Sequence, residues 1–236
     1  MYQDIKIIYI DSINGNDNNT GDENSPVKSL YTAFKIAPKG IKTIIIINDK
    51  ELYNDGVIQN LDDKHIEVRQ KDYKRVNFIF KNYEDNKYNY MKSITLGSNS
   101  ILKFYNFKFT LENMNINSSK RFFKLYGSYF NLFEGYSKIY FNRCEFDLFD
   151  NKVIDCIYPN CNLDVTLQTK INFHYKKNRS IVINYNKASG GSLFIYNSWW
   201  YDKNGGLIRN YLNYIGGIKY DITGKPINLI YSFEWI

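Results

Sequence analysis

Short segments rich in β-branched and aromatic residues recur along the chain from residue 41 onward, separated by turns rich in Asn, Asp and Gly. They include residues 41–49, 64–70, 75–80, 92–97 and 101–109. Segments of this length and composition are typical of β-strands. Because helical spacing of apolar residues is scarce in this part of the chain, the sequence predicts a mostly β protein.

One helix is predicted before these strands. Ser25 lies where an N-cap belongs, and Pro26 would then take the first helical position. Apolar residues follow at helical spacing, at Leu30, Ala33, Phe34 and Ala37. Pro38 and Gly40 end the pattern, so we expect about three turns of helix. The preceding loop, residues 14–25, is interpreted as structural, because Asp17 and Asp22 lack the acidic density of a calcium loop.

A weak repeat runs through the later part of the chain. "KFYNFKF" (103–109), "IYFNRCEF" (139–146) and "LFIYNSWW" (193–200) share an apolar run, an asparagine and a short return to an aromatic residue. The aligned asparagines are Asn106, Asn142 and Asn197. Asparagine tolerates left-handed backbone, so the frame predicts strand, tight bend and strand, repeated in a coil around a shared core. An antiparallel β-sandwich is the alternative, but two-residue hairpin signals are scarce.

The N-terminal segment resembles that of the pectate-lyase-like superfamily of right-handed parallel β-helix proteins. The motif-level resemblance covers residues 7–80, and its matches are Asn14, Gly15, Asp17, Gly21, Pro26, Leu30 and Ala33. Val27 stands where Phe is usual, and residues 51–53 lack the usual Gly. The resemblance implies an all-β, right-handed parallel β-helix with a short N-terminal capping α-helix. We expect a single domain, in which residues 1–40 form the strand, loop and capping helix. Residues 41–236 would then form the parallel β-helix and a C-terminal strand segment.

Such folds are frequent in bacteriophage tailspikes and in enzymes that act on polysaccharides. The resemblance therefore implies a bacteriophage virion structural protein, tailspike-like or fibre-like, that binds a host surface glycan without clear catalytic machinery. One alternative is a polysaccharide lyase or glycoside hydrolase on the same fold, and another is a purely structural decoration or plug of the virion. The implied partners are other virion proteins, the host surface polysaccharide and further copies of the chain in a homotrimer. The apolar residues 230–236 are expected to pack on the last strand or on another copy.

Charge and hydropathy restrict where the protein is located and which other classes of partner it binds. The first residues, "MYQDIKIIYIDS", lack the pattern of a secretory signal, and no run approaches the roughly 18 apolar residues of a membrane span. We therefore expect synthesis in a cytoplasm, and the resemblance implies that this is a host cytoplasm and that the final location is the virion. The formal charge is +7, but its basic residues are scattered, with the densest cluster at residues 174–179. Without a nucleic-acid motif, this distribution predicts no nucleic-acid partner.

The densest group of catalytic residue types is "NRCEFDLFDNKVID", residues 142–155. In a strand, Arg143, Glu145 and Asp147 would point to one side, which places a cation and two carboxylates together. Two carboxylates serve glycoside hydrolysis, whereas a base with cations serves β-elimination. The competing interpretation is a solvated face that alternates with buried Cys144, Phe146 and Leu148.

Trp199, Trp200 and Tyr201 form an aromatic cluster before a Gly-rich turn. Sugars stack on exposed aromatic rings, so these three residues are the predicted glycan-binding site. In strand geometry Trp199 and Tyr201 share one face and Trp200 takes the other. The competing interpretation is that the rings belong to the core or to a subunit interface.

No metal or cofactor is predicted. Cys144, Cys156, Cys161 and His174 are zinc-binding types, but their spacing does not fit a structural zinc site. His65 and His174 are the only histidines, and neither has a nearby nucleophile-elbow motif.

Overall fold

The computed structural model describes residues 4–54, 58, 61–85, 88–91, 93–112, 125–126, 128–132, 135–149, 151–156, 161–174 and 181–234, without the side chains of 82–91 and 125–126. More than half of the described residues lie in β-strands. Helix within these ranges is limited to the α-helix α1 (Leu30–Ile36) and one 3-10 turn (Tyr211–Tyr214). The all-β prediction with one short helix near the N-terminus is confirmed.

The strands carry the labels used below. In chain order they are β1 (Ile5–Ile10), β2 (Lys42–Ile47), β3 (Glu51–Asn54), β4 (His65–Gln70), β5 (Val76–Phe80), β6 (Asn82–Asp85), β7 (Tyr88–Met91), β8 (Ile94–Leu96), β9 (Ser100–Tyr105), β10 (Phe107–Leu111), β11 (Leu125–Tyr126), β12 (Ser128–Leu132), β13 (Gly135–Leu148), β14 (Lys152–Cys156), β15 (Cys161–Phe173), β16 (Ile183–Asn184), β17 (Ala188–Tyr196), β18 (Trp199–Tyr201), β19 (Leu207–Ile208), β20 (Ile215–Gly216) and β21 (Ile230–Glu234).

Three ladders of parallel strands organise the chain. The first ladder is β1-β2-β4-β9-β13-β15-β17-β21, and the second is β3-β5-β10-β13-β15-β18. Both belong to one curled 13-stranded sheet, because the long strands β13 and β15 each run through both ladders. The third ladder is the separate sheet β8-β12-β14-β16-β20. Within the described residues, named strands pair antiparallel only at β6–β7 and β18–β19, so these strands do not form an antiparallel sandwich.

Strands that are neighbours in a ladder are far apart in the sequence. Along the first ladder, Ile7 pairs with Ile44 and each partner pairs in turn with a residue some tens of positions later, through Glu67, Lys103, Tyr140, Thr166, Phe194 and Ser232. Each repeat therefore contributes one strand to a ladder before the chain returns to it.

The core consists of side chains stacked in register along the ladders. In the second ladder one inner column contains Leu52, Phe78, Phe109, Phe146, Ile171 and Trp200, all essentially buried. Two neighbouring rings within it stack directly, since Phe109 and Phe146 have centroids 4.6 Å apart and nearly parallel planes. Continuous burial of large rings supplies the main stabilisation of such a column.

Helix α1 begins four residues later than predicted and, with 7 residues, makes about two turns instead of three. Its N-cap is Ser29, whose hydroxyl accepts the Thr32 N–H, whereas Ser25 was expected to cap it. The reason is that the intervening Val27 is held extended against β1, where it exchanges backbone hydrogen bonds with Tyr9 and Asp11. The predicted apolar face is confirmed, since Leu30, Ala33, Phe34 and Ala37 are all buried. The helix contacts β1 and β3, which are the first strands of the first and second ladders.

The predicted bends occur at two of the three asparagines. Asn106 and Asn197 have left-handed backbone, with φ of 63° and 47°. Between them, the left-handed residue is Arg143 (φ 55°) and not Asn142, because the pairing of β13 with β15 shifts register there and leaves Arg143 as an extra residue. At the C-terminal end, β21 pairs with β17, as expected for a segment that packs on the preceding strand; residues 235 and 236 lie outside the described residues.

Candidate functional site

The outer face of the second ladder brings the two predicted sites together. One outer column runs through Glu51, Asn77, Lys108, Glu145, Lys170 and Trp199 in pairing register. Beside it, Asp147, Asn172 and Tyr201 pair in the same order. Glu145 and Trp199 are therefore two strands apart, a backbone separation of about 10 Å. The carboxylates and the aromatic residues, treated separately in the sequence, share one surface.

Glu145 is buried beneath cations from neighbouring strands. Its Oε2 lies 2.8 Å from Nη1 of Arg75, and its Oε1 lies 3.6 Å from Nζ of Lys108 and 3.7 Å from Nζ of Lys170. Asn172 Nδ2 donates to the same Oε1 over 2.9 Å. A buried carboxylate requires such partners, and here they come from strands on both sides.

Asp147 lies next to Glu145 and shares two of its partners. Asn172 Nδ2 also donates to Asp147 Oδ1 over 3.0 Å, and Lys108 Nζ lies 3.2 Å from Asp147 Oδ2. The His174 ring joins through Nε2, 3.0 Å from Oδ1. Burial raises the pKa of the Asp147 carboxyl, but the hydrogen bonds from His174 and Asn172 and the charge of Lys108 outweigh burial and lower it to about 2. Asp147 is therefore ionised at neutral pH.

Arg143 does not complete this cluster in the way the strand pattern predicted. It occupies the left-handed bend and is exposed, so it does not alternate with Glu145 and Asp147. The two carboxylates pair instead with Arg75, Lys108, Lys170 and His174. Asp150, also in the predicted group, lies outside the described residues.

The three predicted glycan-binding residues divide between surface and core. The Trp199 side chain is 42% exposed and Tyr201 is half-buried on the outer face. Trp200 points the other way, is fully buried and packs against Tyr211 with ring centroids 4.4 Å apart. Trp200 is therefore a core residue and cannot stack on a glycan. This follows from the strand, in which successive side chains point to opposite faces.

A groove of about 350 Å³ lies beside these rings, and we call it the C-terminal groove. Its lining residues are Lys170, Asn172, Phe173, His174, Tyr201, Asp202, Lys203 and Gly205. The Lys170 ammonium lies 5.8 Å from the centroid of the Tyr201 ring, which is a cation–π geometry. The groove thus presents a ring, an amide, two lysines and the carboxylate of Asp202 to one ligand.

Sequence reasoning missed Arg75, Lys108, Lys170 and Asn172, and it did not place His174 beside the two carboxylates. One local signal was present, because Lys170, Asn172 and His174 alternate along one side of β15 and the residue after it. Their meeting with Glu145 and Asp147 depends on the pairing of β13 with β15, which the local sequence does not encode.

The cluster has more positive than negative charge. Arg75, Lys108 and Lys170 carry three positive charges against the two carboxylates, before His174 is counted. The other basic residues near His174, at 175–179, lie outside the described residues. An exposed ring beside surplus cations suits a ligand that is both ring-shaped and anionic.

The pKa of Asp147 does not suit the general acid of a glycosidase. The general acid of a glycosidase needs a raised pKa, whereas the pKa of Asp147 is lowered to about 2. Both carboxylates are already engaged by cations and by the Asn172 amide.

The described residues contain neither a cluster of metal-binding side chains nor a helix that could cross a membrane. No group of three or more His, Cys, Asp or Glu side chains in this part of the chain is arranged to hold a metal ion. Burial raises the pKa of the Cys144 thiol to about 12, so this thiol is protonated at neutral pH. In the same ranges, no helix has the length and apolar character needed to cross a membrane.

Comparison of the chain with protein-family profiles, with curated protein sequences and with solved structures finds no match.

Proposed function

We propose that the three ladders are the faces of a right-handed parallel β-helix of the pectate-lyase-like kind, with α1 as its N-terminal cap. Support comes from the parallel pairing of strands some tens of residues apart and from the inner columns of stacked rings. Right-handed crossovers predominate between parallel strands of one sheet. The contacts of α1 with β1 and β3 support the cap, since both strands begin their ladders.

We propose further that the protein is a bacteriophage virion component, tailspike-like or fibre-like, that binds a host surface polysaccharide without cleaving it. The observation that carries the binding proposal is the position of exposed Trp199 and half-buried Tyr201 on one outer face, next to Lys170 and the C-terminal groove. The virion assignment rests on the resemblance of the N-terminal segment.

The mode of binding follows from these side chains. The apolar face of a sugar ring would stack on Trp199 or Tyr201, and Lys170 and Lys203 would attract an anionic substituent. Asn172 and His174 also line the groove, where both are held by the Asp147 carboxylate.

The test is binding to a panel of bacterial surface polysaccharides, with unchanged protein and with Trp199→Ala and Tyr201→Ala. We expect each substitution to weaken binding about tenfold, the loss of about 1.4 kcal/mol of stacking free energy. Tyr220→Ala is the matched control, because Tyr220 is also exposed but lies outside both the groove and the second ladder. Binding that is absent from the panel, or that survives both substitutions, would refute the proposal.

A polysaccharide lyase is the second candidate, because cations and an imidazole lie together beside the groove. β-Elimination needs cations to stabilise the charge that develops after proton removal, and a base to remove the proton. Product analysis of the bound polysaccharide for an unsaturated sugar separates this candidate from binding alone. Turnover that is abolished by Glu145→Gln or Asp147→Asn would establish the enzyme.

A purely structural plug of the virion is the third candidate. A protein that binds no glycan but co-assembles with virion proteins would establish it.

A further inference from the structure

A second and larger groove opens at the other end of the second ladder, and we call it the N-terminal groove. It has a volume of about 580 Å³ and is lined by Ser12, Asp17, Lys28, Ser29, Tyr31, Leu52, Tyr53 and Lys81. The loop after β1, the start of α1 and strand β3 form its walls. The resemblance and the sequence motifs assign it no role.

The N-terminal groove has the same chemistry as the C-terminal one. Tyr31 and Tyr53 are 49% and 43% exposed, and buried Leu52 forms part of the apolar lining. The Lys81 ammonium lies 5.5 Å from the centroid of the Tyr53 ring, a cation–π pair like that of Lys170 and Tyr201. Large tyrosine surfaces left in water beside lysines favour a ligand with an apolar ring face and a negative charge.

Side chains, and not the start of the helix, make this site. The carboxylate of Asp17 accepts the backbone N–H groups of Lys28 and Ser29 over 2.9 and 2.8 Å. The Ser29 hydroxyl accepts the Thr32 N–H. These backbone donors are therefore occupied, and recognition falls to Tyr31, Tyr53, Lys28 and Lys81.

The two grooves lie on one face of the molecule. Tyr53 belongs to β3, the first strand of the second ladder, and Tyr201 belongs to β18, its last parallel strand. The outward-facing Lys108 and Lys170 lie on β10 and β15, which are between β3 and β18 in the ladder. About five strand spacings of about 4.8 Å separate β3 from β18, so the grooves are about 24 Å apart.

We propose that the N-terminal groove is a second subsite for a linear, anionic polysaccharide, and that a single chain lies across the ladder and occupies both grooves. This inference rests on the proposed glycan-binding function and adds to it the class and the minimum length of the ligand. Two weak subsites on one rigid face bind a spanning ligand far more tightly than a short one, because the second contact is intramolecular.

The experiment measures the binding of size-fractionated alginate, hyaluronan and heparin, three linear anionic polysaccharides, with neutral dextran of matched length. At least one anionic polymer should bind tenfold or more tightly as fragments long enough to span about 24 Å than as disaccharides. Tyr53→Ala and Lys81→Gln should remove that gain but leave disaccharide binding at the C-terminal groove unchanged. Trp199→Ala should remove the gain too, and should also weaken the disaccharide.

Each contrary result has a distinct meaning. Long-chain binding that falls with Trp199→Ala but not with Tyr53→Ala or Lys81→Gln refutes the second subsite and leaves the proposed function standing. Equal binding of dextran refutes the anionic class. If none of the three anionic polymers binds, the inference is wrong, and the polysaccharide panel then decides the proposed function separately. Near-ultraviolet circular dichroism checks that each variant is folded. If Tyr53→Ala does not fold, Lys81→Gln alone tests the N-terminal groove, because it is the milder substitution.

Discussion

At the scale of single residues, Glu145 and Asp147 are stabilised by groups that come from several strands. Arg75, Lys108 and Asn172 each belong to a different repeat, and they meet around the two carboxylates. Removing one partner weakens the compensation of two buried carboxylates, which costs more than the loss of an exposed ion pair. The same residues that prepare the outer face for a ligand therefore also hold adjacent strands together.

Asp147→Asn should lower the free energy of unfolding at pH 7 by about 2 kcal/mol. The carboxyl pKa falls from an ordinary 3.8 to about 2 in the folded protein, and one pKa unit corresponds to about 1.4 kcal/mol. A lowered carboxyl pKa stabilises the folded state above about pH 4, and this contribution is lost as the pH falls towards 2. Urea unfolding at several pH values measures it.

The control for this prediction is Asp72→Asn. Asp72 is an exposed carboxylate 3.2 Å from the Lys74 ammonium, so its loss should change the unfolding free energy by less than about 1 kcal/mol. A deficit of the Asp147 variant that stays constant between pH 7 and pH 2.5 would contradict the assignment.

At the scale of secondary structure, helix α1 is fixed by a buried lysine as well as by its apolar face. The Lys64 ammonium, just before β4, donates to the carbonyl oxygens of Phe34 and Lys35 in the last turn of the helix. Those carbonyls have no partner within the helix, as at every helix C-terminus. Burial and the nearby charge of Lys39 lower the pKa of Lys64, which is the cost of holding this charge in the interior.

Lys64→Met should loosen α1 without unfolding the ladders. Hydrogen bonds from a charged group contribute about 1.5–3 kcal/mol, so the helix amides at residues 33–36 should exchange with deuterium at least tenfold faster. Hydrogen-exchange mass spectrometry measures the change, with strand β13 as the internal reference. Lys39→Met is the matched control, because its ion pair with Asp63 is exposed; equal exchange in both variants would show that Lys64 does not fix the helix.

At the scale of the whole molecule, apolar side chains remain on the outside of the first ladder. Ile5 and Ile7 in β1 are 52% and 42% exposed, and Ile230 at the far end of the same ladder is exposed as well. The adjacent Ile5 and Ile7 leave an apolar patch in water at the β1 end of the ladder, and such a patch favours association between molecules. This is a physical reason for the homotrimer that the resemblance implies, which stays a prediction.

Analytical ultracentrifugation should therefore give a mass three times that of the 28.0 kDa chain. Ile7→Lys should shift the population towards the monomer, because a charge would have to be buried in the interface. Ile222→Lys, at an exposed turn outside the ladders, should leave the mass unchanged. A single species at the monomer mass at micromolar concentration would refute the trimer.

The sequence by itself determined the strand-rich class, the inward and outward side of many strands, and two of the three left-handed bends. Period-two alternation placed Phe146 inside and Glu145 and Asp147 outside, and asparagine chemistry predicted the bends at Asn106 and Asn197. These properties are local, because each depends on a few consecutive residues.

The tertiary structure alone decided the register, and with it the candidate site. It placed Arg75, Lys108 and Asn172 around the carboxylates, and Arg143 at the bend in place of Asn142. It also set Trp199 on the same face as Glu145, two strands away. The pairing of strands some tens of residues apart depends on loop length and on how the inner rings stack, and a local pattern encodes neither.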